Sequence, residues 1–518
     1  MFEKLTELIS NGEYKEAIYE FQEEYLHIDE LAPADASRLC VLEASIWEAL
    51  GDSTAELVAI ARGLKYDPAN YELFYMLGLH FLNFNIDKAF LCMQMALFYC
   101  ENDEDRMAIE SDYLSLKADA AMRVRGVSVM ILSYNDLEIL RDCIESVEAN
   151  LPKEDLEIVV VDNASSEKGV FEYLSEKERE ADYTFRLIVN GENLGFAAGC
   201  NIGASACSPD RDIFFLNNDA VLMPNALFFL RMGLYDNRNV GAAGAVSNSA
   251  SLQEIDEEEI LSQAGSDIFE DAEGGDEIAW HKRLGYPQAL EIFRKYARRR
   301  DISFFNPYIR HFRLTGFALL ISRDAAEAVM SEGQIFDEMF TPVYFEDDDL
   351  GIRISRAGFQ LLVCCNSLIY HHGGGEFLGS GGLMKASREK FISKWGFDIW
   401  GYSLPWYEAA QKALSLAAGR RDLVRIIDFT CGLGATASYI KYHCRTAFVA
   451  GVCRTGFEAG IAGKIADDVV FGDPNTVMLP WQSHSFDIVL ADTGYVSRGR
   501  IAECLGKDGI VITQEDFQ

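Results

Sequence analysis

The sequence predicts a multidomain chain: an all-α helical repeat, then an α/β domain, then a second, smaller α/β domain. Three observations carry this. At 518 residues the chain exceeds one ordinary hydrophobic core. Apolar residues recur at helical spacing, with no strand pattern, over about the first 124 positions. After that, short buried runs alternate with helical stretches, twice over, which is the signature of mostly parallel sheets.

Composition narrows the function. Hydrophobic content of 49% with 11 prolines marks a globular chain. Lys+Arg 46 against Asp+Glu 82 gives a net charge of −36, which repels nucleic acid and anionic lipid, so neither is expected as a partner. The 12 cysteines have no metal-ligand spacing and are expected to be buried, reduced thiols of a cytoplasmic protein. The N-terminus lacks the features of a signal peptide. No apolar run approaches the ~20 residues of a transmembrane segment.

In residues 1–124 the apolar positions Leu5, Leu8, Ile9, Ala17, Ile18 and Phe21 are followed by a comparable set from Leu42 to Leu64 and another from Phe74 to Leu97. Pro68 closes the second copy, and Leu77–Gly78 places a small residue at a helix crossing. About three stacked helical hairpins are expected, and they resemble degenerate tetratricopeptide repeats. Such a stack offers a concave surface for a polypeptide. A plain helical cap on the following domain is the alternative.

Residues 125–405 hold the chemistry. Val127–Leu132, Leu156–Val161, Leu187–Val189 and Ile213–Leu216 read as buried strands. Their ends carry Ser133 and Asn135, Asp162 and Asn163, Asn193 through Asn201, and Asn217-Asn218-Asp219. Carboxyl ends of strands in an open sheet are where ligands sit. An Asn-x-Asp there offers oxygen ligands to Mg²⁺ or Mn²⁺. Gly195 and Gly199 suit close backbone approach to a ligand. Further on, Glu346-Asp347-Asp348-Asp349 heads a helical pattern, with Asp349 and Arg353 spaced to pair. His371 and His372 follow a strand-like run beginning at Leu361. An acidic excursion (Ser251–Glu277) and a basic, aromatic stretch (Phe293–Arg313) read as mutually paired surface, or as a lid. Gly373–Gly375 and Gly379–Gly382 flank a second lid candidate.

These motifs resemble a family 2 glycosyltransferase of the GT-A fold, most closely the rhamnosyltransferase type. They are Leu132-Ser133-Tyr134-Asn135, Val161-Asp162-Asn163-Ala164-Ser165, Asn193-Leu194-Gly195-Phe196, Leu216-Asn217-Asn218-Asp219, Thr315-Gly316-Phe317, Phe336-Asp337-Glu338, Phe345 to Leu350 and Tyr370 to Gly374. The resemblance implies inverting transfer from a nucleotide diphosphate sugar, with thymidine diphosphate rhamnose the first donor to try. Ser133, Asn135, Asp162, Asn163, Asn193, Gly195, Phe196, Asn201, Asn217 and Asn218 would line the donor. Asp219, with His371 or His372, would hold the metal. Opposite charges ~4 Å apart at an effective dielectric of ~20 attract by ~4 kcal/mol, so a divalent ion greatly helps a diphosphate leave. Asp347 would be the general base, with Glu346 beside it in the catalytic set.

Residues 406–518 repeat the strand–helix alternation around Asp428-Phe429-Thr430-Cys431-Gly432-Leu433-Gly434. They resemble the front of an S-adenosylmethionine-dependent methyltransferase, a truncated Rossmann-like domain. The acid expected after its second strand is replaced by Cys453-Arg454, so the domain is read as inactive. Together the modules resemble bacterial protein O-glycosyltransferases, with Ser or Thr of flagellin as the favoured acceptor docked on the repeats. A lipid-linked glycan transferase and a non-catalytic scaffold are the rivals, and homo-oligomerisation is left open.

Overall fold

The computed structural model describes residues 2–264, 279–305, 307–373, 380–420 and 422–517. Part of the acidic excursion, including Glu270 and Asp271, lies outside them, as do Gly374, Gly375 and Gly379 of the second lid candidate.

The first 117 residues are helical: Phe2–Ser10, Tyr14–Tyr25, Pro33–Leu50, Ser53–Tyr66, Tyr71–Phe81, Ile86–Tyr99 and Asp103–Lys117. Pro33 opens its helix at a position where no N–H is needed, and Asp52, Asn70, Asn85 and Asn102 cap four others by accepting a backbone N–H. Successive helices touch through small residues. A methyl group on Gly63 would lie 2.4 Å from Leu73 Cδ1, and one on Gly78 2.8 Å from Met93 Cε. These contacts form three antiparallel hairpins and a seventh helix.

The central domain is a nine-stranded sheet: β1 Val127–Ser133, β2 Leu156–Asp162, β3 Thr184–Val189, β4 Asp212–Asn217, β5 Ala220–Leu222, β6 Val240–Val246, β7 Tyr308–His311, β8 Ala318–Ile321 and β9 Gln360–His371. Its order is β3-β2-β1-β4-β8-β6-β9-β5, with β7 also on β9. The four strands read from sequence are parallel to one another. The expectation of a mostly parallel sheet gives way to a mixed one beyond β4: β6 runs parallel to β9, but β8 runs antiparallel to both β4 and β6, and β5 and β7 run antiparallel to β9. β8 and β5 are four and three residues long, too short to announce direction in a hydrophobic pattern.

A second sheet, β10 Val424–Asp428, β11 Ala447–Cys453, β12 Asp468–Phe471, β13 Phe486–Leu490 and β14 Leu505–Ile512, has the order β12-β11-β10-β13-β14 and is parallel throughout. At the end of β11, where an acid was expected, the Arg454 guanidinium lies over the Tyr495 ring at 4.3 Å.

The three parts share cores. Helix Ala226–Leu234 of the central domain is buried along its whole length because the sheet covers one side and the repeat helices the other. Phe228 meets Phe74 edge-on at 5.2 Å, and buried Arg231 donates to Gln94 Oε1 at 2.6 Å. On the far side Phe345, Ile352 and Phe391 pack in one cluster with Ala409, Ile426 and Val449 of the C-terminal domain. The twelve cysteines are free thiols, buried or half-buried. Among the described residues, no helix is long and apolar enough to cross a membrane.

Asn85 concentrates the arm's attachment. Its Oδ1 caps the helix through Lys88 N, while Nδ2 donates to the carbonyls of Tyr235 and Asp236. Asn85→Ala removes a cap and two bonds across the junction. A loss of about 2 kcal/mol is expected, read as a lowered thermal midpoint with helical content kept.

Candidate functional site

The parallel half of the sheet aligns its polar ends. Ser133 stands opposite Asp162, and Leu132 opposite Asn217. Because β2 and β3 lie on one side of β1 and β4 on the other, a crevice opens at the carboxyl ends between β1 and β4. The Ser133 hydroxyl is buried there with no hydrogen-bond partner among the described residues. Asp162 Oδ1 accepts from Ser165 N at 3.0 Å. Asn218 Nδ2 donates to Asn135 O at 3.2 Å, tying the loop after β4 to the loop after β1.

Asp219 and His371 meet at the end of this edge. Strand β5 pairs with β9 so that Ala220 faces His371, and Asp219 Oδ1 lies 3.4 Å from His371 Nε2. The imidazole is held from behind: Nδ1 is 2.6 Å from Ser249 O, and the ring stacks on Phe317 at 4.8 Å. Asn248 Oδ1 accepts from His371 N, and Asn248 Nδ2 donates to His371 O. Asn217 Nδ2 is 3.4 Å from the same Nε2. Burial opposes charge on Asp219, but His371, His372 and Lys282 outweigh it and hold the carboxyl below its usual range. For His371 burial is again opposed, and Asp219 leaves the imidazole above its ordinary value. His372 is placed differently. Its Nδ1 is 3.2 Å from Tyr370 OH, and its ring packs edge-on against Tyr286.

The second half of the site sits one strand over. Asn217 N donates to Phe317 O at 2.8 Å, and the preceding Gly316 N donates to Asp347 Oδ2 at 2.9 Å. An unbroken path of contacts thus runs from Asp219 through His371, Phe317 and Gly316 to Asp347. The four acids of helix Glu346–Arg356 divide sharply. Asp348 takes Arg313 Nε and Nη2 at 2.6 and 3.1 Å. Asp349 takes Arg353 Nε and Trp395 Nε1 at 2.8 and 2.9 Å. Glu346 is buried with Oε2 unpartnered among the described residues. Burial, then the charge of Asp347, raises its carboxyl well above the usual range. Asp347 alone of the four is only half-buried.

Other residues assigned to the donor from sequence make hydrogen bonds or packing contacts within the fold. Asn163 Oδ1 accepts from Asn190 Nδ2 and Leu194 N, and its Nδ2 donates to Asn193 Oδ1. Asn193 Oδ1 also accepts from Gly195 N. Asn201 pins the segment before Glu338, accepting from Ile335 N and Phe336 N and donating to Phe336 O. Asn135 Oδ1 accepts from Ser166 N and Glu167 N. Phe196 packs edge-on against Phe336 and lies near Gly316. Gly195 has φ +81 and ψ −178, and a Cβ there would lie 2.6 Å from Pro342 O. The close approach that requires this glycine is to the chain's own loop.

Sequence reasoning missed Asn248, Ser249, Asp136 and Lys282. Lys282 donates to Gly373 O, and its charge acts on Asp219, His371 and Asp136. It lay in a stretch with no motif. The acidic and basic stretches meet at Glu259, which lies 3.9 Å from Arg300 Nε and accepts from Tyr296 OH at 2.5 Å.

The donor set suits a hard divalent cation. Mg²⁺ and Mn²⁺ commonly take one or two protein carboxylates and fill the remaining positions with water and substrate phosphate. Asp219, His371 and the Asn217 amide offer such a partial set. No group of three or more His, Cys, Asp or Glu able to hold a metal occurs among the described residues.

The family model described as Glycosyl transferase family 2 matches residues 128–253, which span β1 to the turn after β6. That segment includes Ser133, Asp162 and Asp219 and stops before Asp347 and His371. The uncharacterized protein y4gI of Sinorhizobium fredii (strain NBRC 101917 / NGR234) is 27% identical over 248 residues, 48% of this chain and 24% of its own length. The chain therefore matches about a quarter of that relative. Among solved structures, it is similar to the mannosyltransferase PcManGT from Pyrobaculum calidifontis in complex with GDP-Man and Mn²⁺ (14% identity, 59% of this chain and 76% of that one, TM-score 0.35). It is also similar to GalNAc-T7 with UDP, GalNAc and Mn²⁺ (15% identity, 57% and 51%, TM-score 0.36). S. aureus TarS is similar as well (13% identity, 51% and 39%, TM-score 0.32).

Gly195→Ala should cost about 1–3 kcal/mol for a backbone region open only to glycine, with a clash added, and lower the thermal midpoint. Gly191→Ala, where a Cβ meets nothing within 4 Å, should leave the midpoint in place.

Proposed function

We propose that residues 125–405 are a metal-dependent, inverting glycosyltransferase. It moves a sugar from a nucleotide diphosphate donor to a Ser or Thr hydroxyl of a protein acceptor. The family 2 match over the first six strands supports the reaction class. The observation that carries the assignment of roles is the contact path joining Asp219 to Asp347 across Phe317 and Gly316.

In this reading the crevice between β1 and β4 takes the nucleotide, with Ser133 and Asp162 at its floor. Asp219, His371 and Asn217 would hold the divalent ion, which when bound neutralises charge developing on the departing diphosphate. Lys282 adds a positive charge beside it in an otherwise acidic chain. Asp347, the one acid of its group with solvent access, takes the acceptor's proton as the new sugar–oxygen bond forms. The Gly316 N–H fixes its Oδ2. The helical repeats would dock the acceptor, for which flagellin is the first protein to test, and thymidine diphosphate rhamnose is the first donor.

The test is release of nucleoside diphosphate from a panel of nucleotide sugars with Mn²⁺ and candidate acceptors. Asp347→Asn keeps the shape and the Gly316 contact but removes the base, so turnover should fall about 10²–10⁴-fold. Donor-induced thermal stabilisation should persist in that variant. Asp219→Ala should instead abolish the stabilisation, which at 100 times the dissociation constant is about 2.7 kcal/mol. Unchanged turnover in Asp347→Asn would overturn the assignment.

A further inference from the structure

Away from the strand edge that carries Asp219, two adjoining clefts of about 320 and 400 Å³ lie where all three domains meet. They share Pro307, Tyr442 and Arg445 as walls. Lys88 comes from the repeats, Arg300 and Arg310 from the central domain, Lys441 and Arg445 from the C-terminal domain. In a chain of net charge −36, five cations converging on one groove is a marked local reversal.

Nearby acids engage three of the five, Arg300 among them, whose Nε lies 3.9 Å from Glu259 Oε1. Asp236 is engaged by Lys88 at 2.6 Å, and Asp301 by Lys65 at 2.6 Å. Lys441 is paired with Asp467. Arg310 and Arg445 form no ion pair among the described residues. Arg445 sits over the Phe305 ring at 5.8 Å, and burial alone lowers its proton affinity, with no carboxylate to offset it. Two polar atoms beside them are buried without partners among the described residues: Arg300 Nη1, a donor, and Asn366 Oδ1, an acceptor. A guanidinium fork matches phosphoryl oxygens in geometry and charge. An orphaned carbonyl oxygen asks for a hydroxyl or N–H.

We propose that this three-domain groove binds a small phosphorylated molecule bearing hydroxyl groups, a sugar phosphate or a mononucleotide. Its phosphate would lie between Arg310 and Arg445, and a hydroxyl would reach Asn366. Neither cleft is lined by Ser133, Asp162, Asp219, Asp347 or His371, so the proposal stands whether or not the glycosyltransferase reading does.

Titration calorimetry with glucose 6-phosphate, AMP and inorganic phosphate, in EDTA to silence metal-dependent binding, decides it. At least one of the two hydroxylated probes should bind the wild-type protein and Asp219→Asn equally, and more tightly than inorganic phosphate. Arg310 and Arg445 are exposed, so Arg310→Gln/Arg445→Gln should fold normally and bind about tenfold or more weakly. Arg310→Lys/Arg445→Lys should recover part of the loss, and added salt should weaken wild-type binding. Preference for glucose 6-phosphate or AMP identifies the source. Absence of binding at millimolar probe, binding indifferent to the double substitution, or binding lost in Asp219→Asn would each overturn the proposal.

Discussion

The site depends on one antiparallel pairing. Strand β8 lies against β4 in register Leu216–Ala318, and the ladder continues by one hydrogen bond, Asn217 N to Phe317 O. That bond sets the end of β4, next to Asp219, and the Gly316 amide at the same level of the sheet. Phe317 then acts on both sides. Its ring backs the His371 imidazole, and its neighbour's N–H grips Asp347. A shift of β8 by one residue would turn every side chain to the other face, moving Phe317 off the histidine. The two acids are far apart in sequence, and a backbone bond of ordinary length lies on the path of contacts between them.

Much of this was legible beforehand, and for identifiable reasons. The β1, β2 and β4 runs are continuous apolar stretches because helices cover both faces, and each ends in a polar residue. The acid helix showed itself through charge density and through the Asp349–Arg353 spacing, and that pair forms. Direction and register of β5, β7 and β8 were not legible, since strands of three or four residues carry almost no periodic signal. Nor could local sequence separate Asn163, Asn193 and Asn201 from ligand-facing residues. An asparagine at a strand end suits a ligand and suits a loop equally well, and here the backbone amides of neighbouring loops take its capacity.

The acid cluster illustrates the same limit. Four consecutive carboxylates look interchangeable in sequence. Helical geometry points them in four directions, and each meets a different environment. Two find guanidinium partners, one is buried with its Oε2 unpartnered among the described residues, and one keeps access to water. Burying a carboxylate without a counter-charge opposes its ionisation. The same stretch of chain therefore supplies structural ion pairs, a buried acid and a half-buried one within four residues.

The wholly buried helix Ala226–Leu234 has a consequence for the molecule's modularity. Its sheet-facing side and its repeat-facing side are both apolar, with Phe228 and Phe229 among the largest side chains it hides. Shortening the chain to the glycosyltransferase-like part alone would lay that second side bare and leave Arg231 without Gln94. The N-terminal helices are thus as much the roof of the central sheet as an appendage to it.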